Sequence, residues 1–107
     1  MKMSEENKKK VHNLLDLCIE FNEKQEDFEA DFQYLPYIEG VTIYVRQKDK
    51  GYEEAERIAV YINENYVGYK IDEAISRLRQ IINDFDNVDK IQNNILKAGS
   101  EEDENRI

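Results

Sequence analysis

His12 and Cys18 are the only histidine and the only cysteine of the chain, the two side-chain types from which a thiol nucleophile and its base are assembled. Their spacing forbids that pairing on one helix, because six residues at 3.6 per turn leave them about 120° apart around the axis. Cys18 also lies on the apolar stripe of its segment, where a thiol serves as a small buried hydrophobe. The serines, Ser4, Ser76 and Ser100, lack the glycine elbow that exposes a nucleophilic hydroxyl. Four scattered glycines make no phosphate-cradling loop and no dinucleotide fingerprint. Asp84, Asp86 and Asp89 crowd carboxylates into six residues. A calcium loop would need an oxygen ligand where Val88 stands, a glycine, and a downstream glutamate, and none of these is present. Capping of a helix break by Asp86 or Asn87 explains the run. No catalytic residue, metal ligand or cofactor site is expected, and an enzyme is the least favoured class.

Two constellations remain, and both point to binding. The first is acidic. Asp16 to Asp31 holds seven carboxylates and one lysine. Read as a helix, Asp16, Glu20, Glu23, Asp27 and Asp31 form one stripe, with Val11, Leu14, Cys18, Phe21, Phe28 and Phe32 opposite. Carboxylates three or four apart repel by a few tenths of a kcal/mol per pair, so the row is either an indifferent solvated face or a used one. It would span about 22 Å, roughly six or seven base pairs, and could imitate a row of phosphates in a lysine- and arginine-lined groove. Glu26, Glu29, Glu39, Glu53, Glu54 and Glu56 would widen the patch. The second is aromatic. All seven tyrosines lie between Tyr34 and Tyr69. Tyr44, Arg46, Arg57, Tyr61, Tyr66 and Lys70 are expected to share one sheet face. Tyr and Arg are the residues of interface hot spots, and such a face could also stack unpaired bases. An ordinary coated sheet would look the same.

The elements that must carry these residues follow from periodicity. Ser4 followed by Glu5 and Glu6 starts a helix expected to run to Asp31, ahead of the break at Tyr34-Leu35-Pro36-Tyr37. Val41–Gln47 alternates as a half-buried strand, with Val41, Ile43 and Val45 inward. Glu56–Ile62 alternates again, and a polar loop at Asn63–Asn65 leads to a third strand at Tyr66–Ile71. A helix over residues 53–65 is the competing assignment, disfavoured by the β-formers around the turn. Asp72 caps a second helix with Ile75, Leu78, Ile82 and Phe85 inward. A kink is expected near Asp84–Asn87, where the apolar stripe swings toward Val88, Ile91 and Ile95. Gly99 is expected to end the last helix.

The result is one α+β domain over 1–98, a three-stranded antiparallel meander with a long N-terminal helix and a C-terminal helix or helices (αβββα or αβββαα). An acidic tail, 99–107, is expected to be disordered. With 24 acidic against 15 basic residues the net charge is −9, which repels nucleic acid and anionic membrane and favours basic partners. One cysteine allows no internal disulfide, and Met1–Lys10 lacks the apolar run of a secretory signal. A cytoplasmic location is therefore expected.

Small size, strong acidity, this element order and the lack of catalytic residues together resemble the phage-encoded anti-CRISPR proteins, especially those that inhibit Cas9 by imitating DNA. The likeness covers the whole chain as architecture and charge, with no motif to carry functional positions across. It implies an inhibitor in the bacterial host cytoplasm whose acidic helix meets the basic groove of a nucleic-acid-binding protein, Cas9-type nucleases first, without direct nucleic-acid or membrane contact. Arg46, Lys48, Lys50, Arg57 and Lys70 add a basic component to the sheet region. A single-stranded nucleic-acid or protein-binding module using the tyrosine face is the alternative. A self-associating structural or regulatory subunit, as a homodimer, is another.

Overall fold

The computed structural model describes residues 3–62 and 67–105, with side chains as far as Val88. Helix α1 (Glu5–Lys24) opens where expected: the Ser4 hydroxyl accepts from the Asn7 amide at 3.1 Å, and Glu5 and Glu6 sit at the positive end of the dipole. It stops seven residues before Asp31, as Gln25 turns extended. Residues Phe28–Leu35 are instead a strand, β1. The ambiguity is geometric. Phe28 and Phe32, four apart, fit one face of a helix and equally one face of a strand. Pairing along β2 (Gly40–Gln47) decides the matter.

With β3 (Glu56–Tyr61) these form one sheet in the order β1-β2-β3, antiparallel throughout. The α+β class and the αβββα order hold, and residues 56–61 are strand rather than helix. The third strand lies upstream of its expected place, however. Tyr66 falls outside the described residues, and Val67–Lys70 make only a single parallel bridge, Val60 with Tyr69. The Tyr69 amide donates to the Ala59 carbonyl at 2.8 Å. Gly68 permits this close pass, because a Cβ there would meet the Ala59 oxygen and a Tyr61 ring carbon at 2.6 Å.

Helix α2 (Ile71–Asn105) is continuous through Asp84–Asn87 and through Gly99, where a kink and a stop were expected. Lys10 lies 3.1 Å from Asp72 and Lys24 3.5 Å from Asp86. The sequence offset is the same in both pairs, so α1 and α2 run parallel and in step. Past Asp86, α2 has outrun α1, and Val88 is already half exposed. With no α1 left to follow, a swing in the apolar stripe imposes no bend. A single interior glycine costs only about 1 kcal/mol.

Both helices lie on one face of the sheet. Leu14, Cys18 and Phe21 of α1 and Ala74, Leu78 and Ile82 of α2 pack on Ala30, Val41, Ile43, Val45, Ile58 and Val60. At the margin Glu56, on the inner face opposite Val45, takes a two-pronged bond from Arg77 of α2, with Nε at 2.6 Å. No helix among the described residues is long and apolar enough to cross a membrane.

Candidate binding surface

The acidic row does not exist as one stripe. Asp16, Glu20 and Glu23 keep their places on the exposed side of α1, covering about 10 Å, and Glu20 is paired with Lys24 at 3.1 Å. Asp27 lies in the exposed turn after the helix, its carbonyl accepting from the Lys48 amide at 2.8 Å. Asp31 is on β1, and its side chain projects to the far side of the sheet. Glu29 and Glu56, expected to widen the acidic patch, are tied to Arg46 and Arg77.

The far side of the sheet carries neither long helix, only the short turn that bears Tyr52. Register places Glu29 opposite Arg46, Asp31 opposite Tyr44, and Tyr44 opposite Arg57. Tyr44, Arg46, Arg57 and Tyr61 therefore share this face, as expected. Lys70 is exposed just before α2 and belongs to a different neighbourhood. Tyr66 lies outside the described residues.

Arg46 is held inside the face rather than offered by it. Its guanidinium bonds to Glu29 and to Asp31, and its Nη1 donates to the Lys48 and Lys50 carbonyls at 3.2 and 3.0 Å. Its centre lies 4.6 Å from the Tyr52 ring. Burial opposes its charge, but Glu29, Tyr52 and Asp31 outweigh that and raise its pKa. Tyr52 donates to Asp31 at 2.7 Å, which raises the phenol's pKa, and it meets Tyr44 edge-on at 5.2 Å. Sequence reasoning left Tyr52 off this face and gave Glu29 to the acidic patch instead. Tyr52 sits in a single helical turn (Tyr52–Glu54) that no periodicity marks. Glu29 was assigned to a helix.

Arg57 differs from Arg46. It is exposed, makes no ion pair among the described residues, and is held charged by Tyr44 and then Tyr61 beside it. A shallow hollow of about 380 Å³ adjoins it, bounded by Ala59, Gly68, Tyr69 and Glu73. No protein-family model, curated protein or solved structure matches this chain. Its function has to be argued from these side chains.

The inventory for catalysis is narrow. Among the described residues no three His, Cys, Asp or Glu side chains are placed to hold a metal ion. Cys18 is 1% exposed, and burial, with a smaller contribution from Asp31, pushes its thiol up to about 12. The folded protein therefore holds this proton longer than the unfolded chain, whose thiol titrates near 9. Stability is complete below pH 9 and falls as pH rises from there toward 12, by about 1.4 kcal/mol at pH 10. Urea titrations at pH 7 and pH 10 check this, with Cys18→Ala removing the difference. At pH 8 iodoacetamide is expected to modify Cys18 only in urea.

Proposed function

We propose that this protein is a non-enzymatic binding module that docks a protein partner on the face of its sheet opposite the long helices. One observation carries this. Both long helices cover the same side, leaving Tyr44, Tyr52, Arg57 and Tyr61 on a face without a long helix, where the Tyr52 turn packs on Tyr44 and Gly68 passes beside the Tyr61 ring. Tyr and Arg are enriched among the few central interface residues whose truncation costs about 2 kcal/mol or more. Glu29 and Asp31 share a single guanidinium on the same face, and the chain's charge is −9. That balance disfavours a nucleic-acid strand laid across it.

A narrower reading keeps a specific support. Asp16, Glu20 and Glu23 still form an exposed row on α1. They fit an inhibitor that engages the basic groove of a nucleic-acid-handling protein, a Cas9-type nuclease being the favoured target.

One experiment separates the two. Tagged protein is offered to bacterial lysate and to guide-loaded Cas9, with and without duplex DNA. Tyr44→Ala with Arg57→Ala is expected to weaken capture more than about tenfold, while charge reversal at Asp16, Glu20 and Glu23 leaves it intact. The opposite pattern, with capture of Cas9 lost on adding DNA, would move the function to the acidic helix. Recovery of RNA would replace the protein partner with a single strand.

A further inference from the structure

The outer edge of β1 is open, and its surroundings are asymmetric in a way that defines an occupant. In an antiparallel ladder the backbone groups of alternate residues point away from the partner strand. Asn22 of α1 marks which ones. Its side chain accepts from the Ala30 amide at 2.7 Å and donates to the Ala30 carbonyl at 3.0 Å, so Ala30 faces outward. By the same alternation Phe32 and Tyr34 face outward too, and no backbone bond among the described residues takes up their groups on that side. Asn22 thus closes one end of the edge and leaves the other free.

Beside the free stretch a cavity of about 660 Å³ opens between the first half of α1 and β1, lined by Val11, His12, Leu15, Phe32 and Tyr34. Leu15 and Tyr34 are 38% and 48% exposed. On the helix side of this groove, then, the edge is apolar. On the other side of the sheet it is acidic: Glu29 and Asp31 share Arg46, leaving one negative charge uncompensated at the edge strand. Lys8 at the groove mouth is neutralised by Glu5 at 3.1 Å.

We infer that this edge accepts an extended segment of a partner protein as a fourth strand, one that alternates apolar residues with lysine or arginine. Residues paired with Phe32 and Tyr34 drop their apolar side chains into the groove. The intervening residues turn to the opposite face, where the excess charge of Glu29 and Asp31 selects cations. The two-residue period of a strand is what allows one segment to satisfy both faces. A second copy of this chain fits poorly, because two copies paired on Phe32 and Tyr34 would set Gln33 against Gln33 and Asp31 against Leu35, which brings no cation to the acidic face. The edge adjoins the Tyr44–Arg57 surface through Asp31, but its test reads the Phe32 and Tyr34 amides and does not depend on that surface.

The test uses the full chain, isotopically labelled, and a blocked eight-residue peptide alternating valine and lysine. The control peptide has the same composition in two blocks. The alternating peptide is expected to shift the Phe32 and Tyr34 amides and slow their hydrogen exchange, binding about tenfold more tightly than the control. Leu15→Lys and, separately, Tyr34→Lys should each abolish the preference, with the remaining amide spectrum reporting an intact fold. Equal binding of the two peptides would overturn the inference. So would shifts confined to Tyr44 and Arg57, no shift at millimolar peptide, or concentration-dependent shifts of the same amides without peptide, which would make the occupant a second copy.

Discussion

Phe21→Ala is expected to destabilise the domain by about 3–5 kcal/mol, a large part of the total stability of a chain this size. Phe21 is 1% exposed and stands where three elements meet. Its ring meets Phe85 of α2 edge-on at 5.1 Å, and Phe85 in turn meets Phe28 of β1 at 4.9 Å. Removing the ring leaves a cavity between parallel helices that are otherwise joined at their outer margin by exposed ion pairs, Lys10–Asp72 and Lys24–Asp86, each worth little. Two Asn22 bonds tie α1 to Ala30 of β1 and oppose any closing of the helices over that cavity. Urea unfolding followed by circular dichroism measures the loss. Phe21→Leu, which keeps most of the volume, is expected to cost less than half as much. A loss below about 1 kcal/mol for the alanine variant would mean that α1 and α2 do not pack through this residue.

The same residues show what could be read in the sequence and what could not. Leu14, Cys18 and Phe21 recur at helical spacing, and Val41, Ile43 and Val45 alternate, so α1 and β2 were legible from periodicity alone. Residues 56–61 were recoverable because β-formers outweighed a competing helical stripe. The segment from Phe28 to Leu35 was not. Phe28 and Phe32 satisfy both periods, and what selects the strand is long-range: the hydrogen bonds of β2 and the Asn22 clamp on Ala30. That one misassignment built the 22 Å acidic rod, since it put Asp27 and Asp31 on a helix neither belongs to. The open face fared better. Tyr44, Arg57 and Tyr61 were placed on it from strand alternation, which depends on parity rather than on which strands are neighbours. Tyr52 joins them only through the fold of the turn, so no spacing rule could find it.

Arg46→Ala is expected to cost about 2–4 kcal/mol, well above an ordinary surface ion pair. The Arg46 side chain is 16% exposed, and those of Glu29 and Asp31 28% and 29%, so solvent screens these charges only in part. Truncation leaves two neighbouring carboxylates without a cation. It also strips the Lys48 and Lys50 carbonyls of a donor that closes the turn after β2. Arg46→Lys should recover less than half of the loss. An ammonium brings the charge but not the planar fork that reaches both carboxylates and the turn. If repulsion between Glu29 and Asp31 is a real part of the cost, Arg46→Ala must be milder in a Glu29→Gln, Asp31→Asn background, by about 1 kcal/mol or more in a double-mutant cycle. Full rescue by lysine would reduce the site to a simple charge pair. A loss under about 0.5 kcal/mol would remove it from the fold's support altogether. The outcome also bears on binding. Arg46 spends its donors within the chain, so its loss should reach a partner through displaced Tyr44 and Tyr52 rings, whereas Arg57→Ala removes a contact outright and should leave the unfolding midpoint nearly where it was.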